Sequence, residues 1–373
     1  MISGYCDQRF RAVRDVFATN LENGEVGAAL CVYLDGKPVI DIWGGYADEA
    51  RQRPWQENTL VCMMSVTKGM VALAAHRLIE KGLLDLGRPV ADYWPEFAAA
   101  GKADITFDCL ISHRAALVFP DEAPPGSMTD WDAMTAALAS QAPAWAPDTR
   151  GAYHSSTFGH LVGEVMRRVT GKGVDQILRD ELTGPVNADF YIGVPDGRDH
   201  DVADIIVNPD TISTRLILND VDSPLSRAWR SLPRGGNVFN TPVWRKTLLP
   251  SGNGHATARA AARIYSALFM PVDGVRLFSD ESVERARTER WFEECGLTAR
   301  KYRFGRGVVL NNPRYHPMGG NPRAFGHAGV GGAFAFADPE NRLSFGYAKN
   351  HTSAGDGVGP WTGALVEAVY GSL

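Results

Sequence analysis

Segments with the pattern of β-strands stand at both ends of this chain, with helical patterns between them, and this order restricts the folds open to it. Near the N-terminus, apolar segments at residues 27–33 and 37–43 flank the turn Asp35-Gly36, which predicts a β-hairpin. Near the C-terminus, strand patterns are found at residues 304–310, 324–328, 332–337 and 343–349. The order predicts an α+β fold, in which one antiparallel sheet is built from both chain ends and flanked by helices.

The chain length of 373 residues is enough for one large domain or two interlocked ones. We expect residues 1–62 and 303–373 to form an α/β sheet unit and residues 63–302 a mostly helical unit, with an active site at the junction. Residues 201–250 are irregular in pattern and predict no particular element. The sequence thus predicts an insertion of helices into a sheet domain.

The composition is that of an ordinary globular enzyme, with 45% hydrophobic and 22% charged residues. A net charge of −5 without a basic block argues against nucleic acid or a membrane as partner. The five cysteines are widely spaced, with no metal-ligand pattern, so we expect reduced thiols, no metal and no cofactor. No segment has the length of a membrane span and no signal-like start is visible, which predicts a cytoplasmic location if the chain is complete.

The segment Ser65–Lys68 opens an apolar segment with helical spacing that runs to about Gly82 and predicts a helix buried on most sides. A separation of three residues places Ser65 and Lys68 on the same face in the first turn. A serine hydroxyl needs a proton acceptor before it can act as a nucleophile, and a lysine held nearly dry beside it can serve or assist. The helix start also supplies free N–H groups for an oxyanion.

The Ser-x-x-Lys motif can also arise by chance and have only a structural role. Eighteen serines and eight lysines predict about 0.4 Ser-x-x-Lys matches by chance, and this is the single match. Alone, Ser65 would be a helix cap and Lys68 a solvated side chain. His113, another candidate base, ends an apolar turn and is expected to be a structural histidine bonded to backbone.

Three separated segments resemble, in order and spacing, the motifs of serine β-lactamase-like hydrolases and penicillin-binding proteins: Ser65–Lys68, Tyr153–Ser155 and His327–Gly329. More specifically the chain is similar to family VIII carboxylesterases, which have the β-lactamase fold. The stretches that carry this resemblance are residues 65–68, 251–258, 324–332 and 336–339.

The resemblance implies a role for each of these residues. Ser65 would attack an ester carbonyl and form an acyl-enzyme, while Tyr153 would take its proton, with Lys68 contacting both. A neutral Lys68 as the base is the alternative, because a coupled pair shares its protons. The backbone N–H groups of Ser65 and Val330 would form the oxyanion hole, and Gly329 would let substrate approach the backbone.

Two departures from the family pattern bear on specificity. His327 replaces a lysine, so a permanent cation that would bind a substrate carboxylate is missing. Ser155 replaces an amide side chain and offers fewer hydrogen bonds to a β-lactam. With Gly329, these residues are the predicted substrate-binding positions, and both departures favour esters.

The leading hypothesis is a cytoplasmic carboxylesterase that acts on small to medium acyl esters, so the expected partner is a small-molecule ester. A β-lactamase, a D-aminopeptidase or amidase, or an acyltransferase could use the same site. A catalytically inactive ligand-binding or sensor protein of this fold is the alternative from another class. The pattern predicts no oligomeric state.

Overall fold

The computed structural model describes residues 2–209, 222–233, 238–298, 300–353 and 357–373, and within them two antiparallel sheets are found. The larger sheet has nine strands in the order β1-β3-β2-β12-β11-β10-β9-β8-β7, and the smaller has the order β4-β6-β5. The strands are β1 (Ile2–Cys6), β2 (Gly27–Leu34), β3 (Lys37–Gly45), β4 (Val61–Cys62), β5 (Phe190–Ile192), β6 (Gly254–Ala256), β7 (Trp291–Glu294), β8 (Lys301–Phe304), β9 (Val309–Leu310), β10 (Phe325–Ala328), β11 (Phe334–Asp338) and β12 (Leu343–Lys349).

Helices cover both faces of the large sheet and fill the segment between its two halves. The α-helices are α1 (Arg11–Glu22), α2 (Val66–Glu80), α3 (Phe107–Ile111), α4 (Trp131–Ser140), α5 (Phe158–Thr170), α6 (Val174–Leu178), α7 (Pro224–Ala228), α8 (Pro242–Lys246), α9 (Ala258–Ala267), α10 (Asp280–Arg287) and α11 (Gly359–Tyr370). Shorter 3₁₀ turns and one π-helical turn, Arg179–Thr183, connect them. No helix among the described residues is both long enough and apolar enough to cross a membrane.

The pairing of β2 with β12 joins the two ends of the chain. Val32 of β2 lies opposite Phe345 of β12, and the hairpin of β2 and β3 turns at Asp35 and Gly36, whose φ angles are 53° and 75°. This left-handed backbone is the one that a tight hairpin needs. The predicted α+β class, with an antiparallel sheet built from both chain ends, is confirmed.

Side chains along the central strands point alternately to the two faces of the large sheet, and each face packs against different helices. Phe334 and Phe336 of β11 belong to the core formed with α1 and α11, whereas Ala335 and Ala337 belong to the core formed with α2 and α9. A Cβ atom placed on Gly346 of β12 would clash with the backbone of α9. Small side chains on this face therefore let α9 approach the sheet closely.

Helix α2 is buried on almost all sides, as its sequence predicts, and begins at Val66 directly after Ser65. It packs against β10 at Gly69, where an added Cβ atom would lie 3.0 Å from the Cβ atom of His327 and 2.7 Å from the hydroxyl of Tyr265. The close packing at Gly69 brings the first turn of α2 beside the end of β10. Two of the three predicted motifs are thereby brought together.

Several elements differ from the sequence-based expectation. The sequence predicts a loop over residues 251–255 and a helix from Ala256, but residues 254–256 form β6 because β4 and β5 pair with them on both sides. The single strand predicted over 304–310 is interrupted by a turn in which Gly305 N donates to Val308 O at 2.9 Å. Strands β1 and β7 were not predicted, since both are short edge strands with exposed side chains and little apolar alternation.

The division into two units stays a prediction. Strands β7 and β8 lie at one edge of the large sheet, so the sheet includes residues 291–304 as well as the predicted residues 1–62 and 303–373. Within residues 201–250, which predicted no element, the structure describes two five-residue α-helices, α7 and α8, and a short 3₁₀ turn over Val238–Asn240.

Candidate active site

The hydroxyl of Ser65 and the amine of Lys68 are in contact at the start of α2. Lys68 is fully buried, and its Nζ lies 3.1 Å from Ser65 Oγ. The preceding residue, Met64, has a φ angle of 49°, in the left-handed region that residues with side chains rarely adopt. Strained backbone of this kind persists where the surrounding structure holds it, often at functional sites.

A second contact holds Lys68 from the other side, and it involves a residue to which the sequence assigned no role. Lys68 Nζ donates to the backbone carbonyl of Ser251. The Ser251 hydroxyl accepts from Gly159 N and donates to Ser156 O, both at 2.7 Å. Ser251 lies in the stretch 251–258 that carries the family resemblance, but a backbone acceptor leaves no side-chain signal.

Tyr153 completes the group that the three motifs predict. Its hydroxyl lies within interaction distance of the Ser65 side chain, and Lys68 Nζ lies 5.0 Å from the centre of its ring. The ring stacks on Phe304 of β8, with centroids 5.9 Å apart and planes 24° apart. The three predicted catalytic side chains therefore share one site, although they are separated by up to 88 positions in the sequence.

Burial controls the charge of this group. Loss of solvent lowers the pKa of Lys68 well below its usual range. Burial also raises the pKa of Tyr153, and the interaction with the Ser65 side chain offsets only part of that increase. Both shifts favour the uncharged forms, an amine beside a phenol, and an uncharged amine has a free lone pair to accept a proton.

The turn at residues 329–332, which we call the glycine turn, lies against the chain just before Ser65. A Cβ atom on Gly329 would clash with the carbonyl oxygen of Met63. Gly332 N donates to Gly329 O at 3.1 Å, inside the turn. Because the C=O and N–H of one peptide point in opposite directions, the N–H of Val330 points out of the turn. Val330 is exposed, at 37%.

His327 is buried beside the catalytic group. It is 2% exposed, its ring centre is 6.0 Å from that of Tyr153, and its Nδ1 is bonded to the carbonyl of Ala328 at 2.8 Å. Burial, with the nearby Lys68, lowers its pKa to about 3. The ring is uncharged at neutral pH, and its Nε2 has no hydrogen-bond partner among the residues that the structure describes.

The predicted residues around Tyr153 occupy supporting positions. Ser155 is buried, its N–H donates to Tyr153 O at 2.8 Å, and within the described chain its hydroxyl has no partner. His113 Nδ1 accepts from the backbone N–H of His154 at 3.1 Å, so the prediction of a histidine bonded to backbone is confirmed. Its ring also contacts that of Tyr153, at 5.3 Å between centroids.

The α+β fold and a Ser-x-x-Lys pair in contact at the start of a buried helix together define a serine hydrolase. The chain belongs to the beta-lactamase family, whose sequence profile matches residues 8–368. The predicted family and the predicted β-lactamase-like fold are thereby confirmed.

Solved structures and characterised relatives agree with this family. A crystal structure of a family VIII carboxylesterase is similar, with 38% identity, a TM-score of 0.91 and both chains covered completely. A penicillin-binding protein homologue from Caulobacter crescentus is similar too, with 36% identity, a TM-score of 0.88 and both chains again covered completely. The esterase/beta-lactamase LipL of Mycobacterium tuberculosis is 34% identical over 365 residues, which cover 94% of this chain and 83% of LipL.

Proposed function

We propose that the protein is a carboxylesterase that hydrolyses small to medium acyl esters through an acyl-enzyme on Ser65. The observation that supports this most is the 3.1 Å contact between Ser65 Oγ and the amine of Lys68, whose pKa is lowered by burial. Several similar proteins are called esterases or carboxylesterases. A cytoplasmic location stays a prediction.

In the proposed reaction, Ser65 Oγ forms a bond with the ester carbonyl carbon while its proton passes to Lys68. The sequence-based hypothesis gave that proton to Tyr153. The directions of the two pKa shifts favour the alternative, with Lys68 as the acceptor. As the ester C–O bond breaks, Tyr153 passes its hydroxyl proton to the leaving alkoxide and recovers one from Lys68. Water then attacks the acyl carbon and gives its proton to Lys68, the bond to Ser65 Oγ breaks, Ser65 recovers its proton, and the acid leaves.

The negative oxygen of the tetrahedral intermediate needs two donors about 3 Å away. We assign these to the backbone N–H groups of Ser65, at the start of α2, and Val330, which points out of the glycine turn. Gly329 supports the assignment, because its missing side chain lets the turn pack against the residues before Ser65.

The surroundings favour uncharged substrates over β-lactams. A β-lactam antibiotic carries a carboxylate, and an uncharged His327 gives it no ionic partner. An acyl ester needs none. Ser155, His327 and Gly329 remain the proposed substrate-binding residues, with the histidine acting through a neutral ring.

Labelling with an organophosphonate tests the proposal. Intact-mass analysis should show one adduct for each chain, and peptide mapping should place it on Ser65, because an activated serine attacks phosphorus as it attacks a carbonyl. A folded protein that stays unlabelled and does not hydrolyse p-nitrophenyl esters would instead support a ligand-binding role.

The change Tyr153→Phe is expected to lower kcat for p-nitrophenyl esters by about 10²- to 10⁴-fold, the contribution typical of a positioned proton donor. The ring and its packing remain, so the melting temperature should stay within about 3 °C. Tyr302→Phe is the matched control, since Tyr302 packs 5.9 Å from Tyr153 and loses the same hydroxyl. Equal activity of both variants would contradict a role for the Tyr153 hydroxyl.

Replacing His327 by lysine should raise kcat/KM for carboxylate-bearing β-lactams relative to neutral esters. A charge-assisted contact of about 1.4 kcal/mol corresponds to roughly a tenfold change in this ratio. His327→Gln, which remains neutral, should leave the ratio unchanged. If the two variants give the same ratio, the side chain at this position does not meet the substrate.

A further inference from the structure

The glycine turn is held from behind by two hydrogen bonds to its carbonyl groups. Ser353 N donates to Gly331 O at 2.9 Å, and Thr362 Oγ1 donates to Gly332 O at 2.8 Å. The φ angles of Gly331 and Gly332 are 89° and 109°. Because such a backbone is open to many conformations in the absence of restraints, the orientation of the Val330 N–H depends on what holds these carbonyls.

A buried ion pair lies directly beneath this turn. Lys349 Nζ is 2.6 Å from Glu25 Oε2, and the two side chains are 1% and 0% exposed. Lys349 also donates to the hydroxyl of Ser353, whose N–H holds Gly331. Its Cδ lies 3.4 Å from the position of a Cβ atom on Gly332. The ammonium and its stem thus support the turn at two points.

Further contacts fix both members of the pair. The hydroxyl of Tyr347 donates to Glu25 Oε2 at 3.1 Å, and Lys349 Nζ stands 4.5 Å from the centre of the Trp361 ring. Glu25 comes from the segment before β2, Lys349 ends β12, and Trp361 lies in α11. The pair and its contacts therefore join the segment before β2 to β12 and α11, near the other end of the chain.

Stability alone does not account for such a pair. Two charges removed from water lose their hydration, and an apolar pair of the same size is often as stable or more so. Charged partners with fixed hydrogen bonds do specify one geometry, whereas apolar packing tolerates small shifts. What the pair contributes here is a defined position for Ser353 and for the turn that Ser353 holds.

We propose that the Glu25–Lys349 ion pair positions the glycine turn, through Ser353, so that the N–H of Val330 faces the substrate carbonyl oxygen. Glu25, Lys349 and Ser353 are positioning residues, and none of them touches the substrate. The inference rests on the proposed esterase function. It adds a structural source of oxyanion stabilisation that lies outside the three sequence motifs.

The strength of the hydrogen bonds to the oxyanion can be measured with a pair of substrates. An aryl ester and the O-aryl thionoester differ only in the atom that becomes the anion, and sulfur accepts hydrogen bonds more weakly than oxygen. The ratio of their kcat/KM values reports the quality of the donors, whereas a general loss of folded protein lowers both values equally. Removal of one oxyanion donor costs about 10²- to 10³-fold, so a displaced donor should lower the ratio about tenfold.

Three changes should lower this ratio. Ser353→Ala deletes the contact with Lys349 and leaves the ion pair in place. The double change Glu25→Gln with Lys349→Met removes both charges and leaves neither one uncompensated. Thr362→Val removes the hydroxyl that holds Gly332, and Thr362→Ser should restore the ratio. Glu164→Gln is the control, because Glu164 is a buried carboxylate on α5, bonded to Trp131 and two arginines.

If either the Ser353→Ala variant or the double variant folds and keeps the wild-type ratio, the positioning role is overturned. One folded variant is sufficient for this test. A reduced ratio in Glu164→Gln as well would show that general loosening is the cause. The proposed function fails separately, if wild-type protein neither hydrolyses the ester nor accepts the phosphonate on Ser65. Wild-type hydrolysis with a ratio near one would instead remove the Val330 assignment and leave the esterase proposal intact.

Discussion

Replacing Ser65 by alanine is expected to lower kcat for p-nitrophenyl esters by on the order of 10⁶-fold, because no other group can form the acyl-enzyme. The side chain is partly exposed and contributes one hydroxyl, so the free energy of unfolding should change by less than about 1 kcal/mol. Steady-state hydrolysis and thermal unfolding, measured on the same preparation, check both expectations.

Ser140→Ala provides the matched control for this experiment. Ser140 is exposed at the end of α4, where its hydroxyl bonds back to the carbonyl of Ala137, so the same atom is deleted far from the site. Wild-type activity is expected there. Full turnover by the Ser65→Ala protein would eliminate Ser65 as the nucleophile, and full phosphonate labelling of that variant would do the same.

The change Lys68→Met should lower kcat/KM by about 10²- to 10⁴-fold, the contribution of a positioned general base. Methionine has a similar length and remains apolar in the buried space, so the helix should persist. If Tyr153 alone accepts the Ser65 proton, activity should instead recover at high pH. A variant that stays inactive up to the pH at which the wild type unfolds supports Lys68 as the acceptor.

The pH dependence of stability provides an independent measurement of the pKa shift of Lys68. In the folded protein, burial lowers the pKa of Lys68, whereas an unfolded lysine has a pKa of about 10.4. Between these two values the unfolded chain binds a proton that the folded chain does not. Lys68 therefore makes the free energy of unfolding rise with pH, by up to about 1.4 kcal/mol per pH unit, and the rise ends above pH 10.4.

The Lys68→Met protein lacks this contribution. Its advantage in stability over wild type should be larger at neutral pH than at pH 10 and should shrink as the pH rises between them. Denaturant unfolding at a series of pH values measures the difference. Lys301→Met, at an exposed lysine of β8, should follow the wild-type curve. Parallel curves for wild type and Lys68→Met would mean that the folded protein holds Lys68 protonated.

The spacing of apolar residues and the identity of turn residues were sufficient to predict the helices and hairpins that are formed by one continuous stretch of sequence. The helix from Val66 to Glu80 was predicted because its apolar residues recur on every face, and the hairpin at Asp35 because the turn residues require a left-handed backbone. Tyr153 was found only through its motif, since a tyrosine after a turn has no distinctive pattern. The α+β class followed from the order of strand and helix patterns, and the family from three motifs in the right order.

Contacts between distant backbone groups could not be predicted in this way. The carbonyl of Ser251 on Lys68, the pairing that makes residues 254–256 a strand, and the ion pair of Glu25 with Lys349 leave no periodic signal. Each depends on where another part of the chain lies. A side chain's chemistry and its helical or strand spacing are thus properties of the sequence, whereas its neighbours, its burial and its charge state exist only after folding, because removal of water by distant segments determines them.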